Sequence, residues 1–162
     1  MKYTIFYINK RNNLDAVDVI FHSLEEAESE AFDYFKYLSR YEGMKSDKLK
    51  MWIDCYADDD EDMENGIEQY TVRCLYTIID ENDAEGLFEF RSFDFREARN
   101  TFDSLCEQRD DEERYEDIAL VGYLILTNSN DPDEAYDEFF NEYGETVEEH
   151  NGAEAYREWR RC

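Results

Sequence analysis

Residues 58–64 read DDDEDME, six acids in seven positions, and no Lys or Arg lies between Met51 and Val72. Carboxylates crowded in this way can hold a divalent cation, divide acid and base roles in catalysis, or present a negative surface to a cationic partner. Each use demands its own pattern. A calcium loop of the EF-hand type needs oxygen ligands at alternating positions, Gly at the sixth and Glu at the twelfth. Counted from Asp58, Asp60 and Asp62 fit, but the sixth residue is Met63 and the twelfth is Gln69. No metal site is expected. Carboxylate pairs for glycosidase-like chemistry are so abundant that none stands out. The two histidines, His22 and His150, belong to no HxH or HExxH pattern, and there is no GxSxG, Walker loop or GxGxxG. The chain is read as non-enzymatic, with no catalytic residue and no cofactor.

The third use remains. The 162 residues carry 43 acids against 17 bases, a net charge of −26. A folded protein of this mass exposes roughly 8,500 Å², or about one net charge per 330 Å². Duplex DNA, with one charge per roughly 1.7 Å of axis, carries about one per 110 Å². DNA-like density therefore requires clustering. Three clusters are candidates for binding a partner. The first is Asp58, Asp59, Asp60, Glu61, Asp62 and Glu64. The second is Asp110, Asp111, Glu112 and Glu113. The third is Asp133, Glu134, Asp137, Glu138, Glu142, Glu145, Glu148 and Glu149, inside a stretch from Tyr115 to Tyr156 with twelve acids and no Lys or Arg. Like charges four residues apart on a helix cost about 0.2–0.5 kcal/mol per pair, so the third cluster accepts repeated small penalties. By contrast, Glu25, Glu26, Glu28 and Glu30 precede Lys36 and Arg40 on one helix, an order that the helix dipole explains. The only basic group of note is REWRR at 157–161. Direct nucleic-acid binding is not expected, because phosphate contacts need Lys and Arg.

These clusters must be positioned by a fold. Aromatic residues at 16%, one Pro and six Gly indicate a packed core without a flexible linker. KYTIFYIN is a strand, RNNLD a turn and AVDVIFH a second strand. Ser23 and Glu26 form a capping box for a helix over 24–41, and a third strand follows near 48–56. Shifted by 71 residues, SLEEAESEAFDYF (23–35) falls on DFREARNTFDSLC (94–106), with Ala27 on Ala98 and Ala31 on Phe102. The second copy predicts strands at 70–80 and 86–92, a helix at 94–110 and a strand at 117–127. The expected fold is α+β: two repeated β-β-α-β units (1–66 and 67–128) with antiparallel sheets packed together, followed by a C-terminal helical pair (129–162). The first helix of the pair runs from Asp131-Pro132 to Gly144, and the second is capped by Thr146.

Cys55, Cys74, Cys106 and Cys162 suit neither zinc nor a small disulfide framework and are read as reduced thiols. The N-terminal apolar run is too short for a signal peptide and no stretch is long enough to span a membrane. A cytoplasmic location is expected. In size, acidity and lack of catalytic motifs, the whole chain resembles the acidic DNA-mimic anti-restriction and anti-CRISPR proteins of phages and mobile elements. The resemblance is one of composition and carries over no functional residue. It implies an inhibitor that occupies the DNA channel of a basic nuclease, restriction enzyme or CRISPR effector. An acidic adaptor or immunity-type protein for one basic partner is the alternative, and a small enzyme or ligand-binding module with incidental acidity the third reading.

Overall fold

The computed structural model describes residues 1–80, 89–111, 118–139 and 153–158. The chain is α+β. Its elements are β1 (Lys2–Ile8), β2 (Leu14–Ala16), α1 (Leu24–Arg40), β3 (Met51–Tyr56), β4 (Glu68–Asp80), β5 (Arg91–Ser92), α2 (Phe95–Asp111), β6 (Ile118–Leu126), α3 (Pro132–Phe139) and β7 (Ala153–Glu158). The strands form an antiparallel sheet in the order β2-β1-β3-β4-β6-β7, with β5 on β4. Two compact units divide the chain: Met1–Arg73 with Leu126–Asn128, and Cys74–Ile125 with Ser129–Cys162. The division falls inside β4 and again before the last residue of β6.

In the first unit the strand period of two places Ile5 and Tyr7 of β1 beside Ile53 and Met51 of β3, all buried on one face. Helix α1 contacts both strands and buries Ala27, Ala31, Phe35 and Leu38. It begins where the Ser23 hydroxyl accepts from the Glu26 N–H at 3.2 Å. It ends at Arg40 with Tyr41 as C-cap, and beyond the cap Gly43, with a φ of 69°, lets the Met44 N–H reach back to Leu38 O at 3.2 Å. On the other face of the sheet Phe6 stacks on Trp52, with ring centroids 6.0 Å apart.

Every residue of β6 is buried, all but Leu126 lying in the second unit. Leu75, Val121, Tyr123 and Ile125 cluster with Ala135 of α3, and Phe93, Tyr136 and Phe139 close the edge. The opposite side of β4 meets α2 through Tyr76 and Phe95, 5.4 Å apart. A side chain at Gly122 would lie 3.1 Å from Cys74 Sγ and 3.2 Å from the Tyr76 ring, a tight approach that glycine avoids. Asp94 caps α2 by accepting from the Glu97 N–H at 3.1 Å, while the Ser92 hydroxyl donates to Glu97 at 2.9 Å.

Four expectations are corrected. The strand expected over 16–22 is the three-residue β2 plus one bridge from Phe21 to Tyr3. Val17 donates to Ile5 O and Val19 to Val17 O, so the chain turns before a longer ladder can form. Of the strand expected over 86–92, the described part is ordered as β5 only at Arg91–Ser92. The second helix of the C-terminal pair is replaced over 153–158 by β7, antiparallel to β6. Its AEAYRE sequence has no strong period, and pairing with a buried strand decides the conformation. Finally, Cys106 is disulfide-bonded, whereas Cys55 and Cys74 are free and buried. A disulfide depends on approach in space, which spacing in the chain does not report. The expected first helix is α3 as far as Phe139, and its remainder lies outside the described residues. Among the described residues no helix is long and apolar enough to cross a membrane.

Candidate functional site

The acidic stretch 58–64 lies in the connection from β3 to β4, and much of it is built into the fold. Asp60 organises the turn. Its carboxylate accepts from the backbone N–H groups of Glu64 at 3.3 Å and Asn65 at 2.9 Å. Its carbonyl accepts from Lys2 Nζ at 2.7 Å. Met63 adopts a φ of 50°, and its sulfur lies 3.8 Å from the Thr4 hydroxyl. Ile67 donates to Cys55 O at 2.8 Å and returns the chain to the sheet. The loop is therefore tied to β1 at Lys2 and Thr4, because β1 pairs with β3 where the loop begins, Lys2 opposite Tyr56.

Asp58 sits 2.7 Å from the N-terminal ammonium. The hydrogen bond and charge of that group hold its carboxyl below the ordinary Asp value. Acids flanking the loop are also engaged. Asp54 accepts from Tyr56 OH at 3.3 Å and from Gln69 Nε2 at 3.2 Å, and Glu68 accepts from Tyr70 OH at 2.6 Å. Burial and the Asp54 charge push the Tyr56 phenol upward, and the bond to Glu68, with burial, does the same for Tyr70. What remains is a set of four. Asp59, Glu61, Asp62 and Glu64 are exposed and make no ion pair among the described residues.

The third cluster is divided between structure and solvent. Asp131 caps α3, accepting from the Asp133 N–H at 3.0 Å. Glu134 accepts from the Ser129 hydroxyl at 3.2 Å. Asp133 lies 3.5 Å from Arg91, which also pairs with Glu89 at 3.2 Å and covers the Tyr136 ring at 3.7 Å. Burial disfavours the Arg91 charge, but its hydrogen bonds to Tyr136 and Glu89 outweigh that and raise its pKa. Asp137 and Glu138 are exposed, with no ion pair among the described residues. Glu142, Glu145, Glu148 and Glu149 lie outside the described residues. In the second cluster Asp110 and Asp111 close the last turn of α2, and Glu112 and Glu113 lie outside the described residues. Among the described residues no group of His, Cys, Asp and Glu is arranged to hold a metal ion.

No protein-family model, curated protein or solved structure matches the chain.

The first unit also has a basic end, which composition alone does not single out. Lys10 and Arg11 occupy the β1–β2 turn, and Lys45, Lys48 and Lys50 the α1–β3 connection. The Ile8 N–H donates to Lys50 O at 3.0 Å and brings these segments together. The available signal was the run 36–50, which holds five bases in a chain with 17. Of REWRR, the first two residues end β7 and the rest lie outside the described residues.

Proposed function

We propose that the protein is a non-enzymatic acidic inhibitor that binds a basic nucleic-acid-binding protein through a DNA-like anionic surface. The partner class is a nuclease, restriction enzyme or CRISPR effector, encountered in the cytoplasm. The observation that carries this reading is the 58–64 loop. Four exposed carboxylates without ion pairs among the described residues stand on a backbone held by Asp60, Lys2 and Ile67. Charges fixed in place before binding lose less conformational freedom on association. Arg and Lys lining a nucleic-acid channel are the natural complement of such a row. In the second unit, Asp137 and Glu138 of α3 are exposed carboxylates in their own right. Duplex DNA itself is repelled by the same surface.

The reading includes two β-β-α-β copies as scaffold. Its support is the 71-residue offset, from Ser23 to Asp94, between two helix caps (94 − 23 = 71). The same offset relates Ala27 to Ala98 and Ala31 to Phe102, all buried. The adaptor reading is favoured by one observation. Ile67, at the end of the acidic loop, is 55% exposed, and an apolar side chain has no counterpart on a phosphate lattice. Competition separates the two. A partner held by mimicry is displaced by duplex DNA, and a partner held at another surface is not.

A further inference from the structure

The basic end of the first unit contains a cleft of about 550 Å³ between the β1–β2 turn and the α1–β3 connection. Asn9, Lys10, Asn12, Glu42, Lys45 and Lys48 line it. Its single carboxylate, Glu42, is already engaged by Lys10 at 3.2 Å. Lys45 and Lys48 are exposed and make no ion pair among the described residues, in a chain with 43 acids.

The turn on the other wall is fixed by its own asparagines. Asn9 Oδ1 accepts from the N–H groups of Arg11 and Asn13, both at 3.0 Å, and Asn12 adopts a φ of 62°. An aromatic ladder reaches the rim. Tyr34 and Tyr37 stack at 5.9 Å, Tyr37 and Tyr41 lie 5.6 Å apart, and Tyr37 OH donates to Glu42 at 3.4 Å. Tyr37 is 46% exposed and Tyr41 78%.

We propose that this cleft binds a free nucleoside phosphate. Lys45 and Lys48 hold the phosphate groups as point charges. Tyr41 offers its open face to the base, since every base can stack on an aromatic ring. Asn12 offers an amide with both donor and acceptor to the sugar or base edge, while Asn9, whose Oδ1 is taken up by the turn, offers only its NH2. The volume lies within the range of small-ligand sites, about 300–1,000 Å³.

The net charge of −26 does not forbid this. The six residues of β3 place the acidic loop and the basic end about 20 Å apart, more than two Debye lengths of about 8 Å at physiological salt. At that separation the near lysines dominate. The same geometry disfavours a long strand, which would run beyond the lysines onto acidic surface. The site is independent of the anionic-loop reading and shares no residue with it.

The test is calorimetric titration of the full chain at low salt with ATP, inorganic triphosphate, adenosine and a single-stranded octanucleotide. ATP is expected to saturate one site, and K45Q/K48Q to weaken it by about tenfold or more. Tyr41→Ala is expected to weaken ATP by about tenfold while leaving triphosphate unchanged. Absence of saturable ATP binding would overturn the proposal. So would unchanged affinity in K45Q/K48Q or in Tyr41→Ala, or tighter binding of the octanucleotide than of ATP. All three substituted side chains are exposed, and matching thermal unfolding of the variants separates loss of ligand from loss of fold.

Discussion

The loop 58–64 and the helix α3 are both acid-rich in sequence, yet the fold treats their charges differently. On α3, Asp133 is drawn to Arg91 and Glu134 accepts from Ser129, so half of the four described acids of that cluster serve the docking and capping of the helix. In the loop, one acid does most of the structural work. Asp60 takes two backbone N–H groups and Asp58 takes the terminal ammonium, and four neighbours are left in solvent on a fixed frame. Acid count is therefore a poor measure of available charge. What matters is how few carboxylates are needed to hold the rest in place.

The largest expected effect tests the helix side of this contrast. Arg91→Ala removes the pairs with Asp133 and Glu89 and the contact over Tyr136, from a side chain only 13% exposed. A desolvated cation–π contact with charge-assisted hydrogen bonds is worth about 2 kcal/mol or more. Urea unfolding should show a lower midpoint with an unchanged slope. A midpoint equal to wild type would mean that Arg91 does not dock α3.

On the loop side, Asp60→Ala should cost about 1 kcal/mol, because two backbone N–H groups lose a charged acceptor. Amide hydrogen exchange at Glu64 and Asn65 should accelerate in this variant. Unaltered protection there would show that other contacts hold the loop.

A smaller effect of opposite sign is expected on α3. Asp137→Asn with Glu138→Gln relieves the like-charge pairs with Asp133 and Glu134, four residues away, and should stabilise by about 0.5 kcal/mol. Loss of stability on the same change would show that these acids have partners in the fold.

The smallest effect is a titration. The Asp58 carboxyl is held below its ordinary value by the N-terminal ammonium. A folded-state pKa below the unfolded one, about 3.9 for Asp, contributes stability above that value. The contribution is lost as pH falls through the lower folded pKa. Solvent screening keeps it small for so exposed a pair. Carbon-detected NMR should show Asp58 titrating at lower pH than an unfolded-peptide Asp, and coincident curves would remove the pairing with the terminus.

The helix starts at Ser23, Asp94 and Asp131 were legible because they depend on residues within four positions. The strands β1, β3, β4 and β6 were legible because β-branched and aromatic runs advertise a buried ladder. What escaped depends on distant partners. The AEAYRE segment is a strand only because β6 offers an unfilled edge. Cys106 found a sulfur that spacing did not suggest. Lys10 and Lys45 share a cleft although 35 residues separate them (45 − 10 = 35), and the acids elsewhere in the chain masked them. The acidic loop was visible as composition. The division of labour between Asp60 and its exposed neighbours required the geometry of the turn.

The most direct measurement compares two variants in affinity capture from bacterial lysate at low salt, with and without excess duplex DNA. One variant is D59N/E61Q/D62N/E64Q, and the other is D133N/E134Q. The account predicts that wild type retains basic DNA-binding proteins that duplex DNA releases. It predicts that the loop variant loses them and that the helix variant, though less stable, keeps them. Capture by the loop variant equal to wild type would contradict the claim that the 58–64 loop is the binding surface.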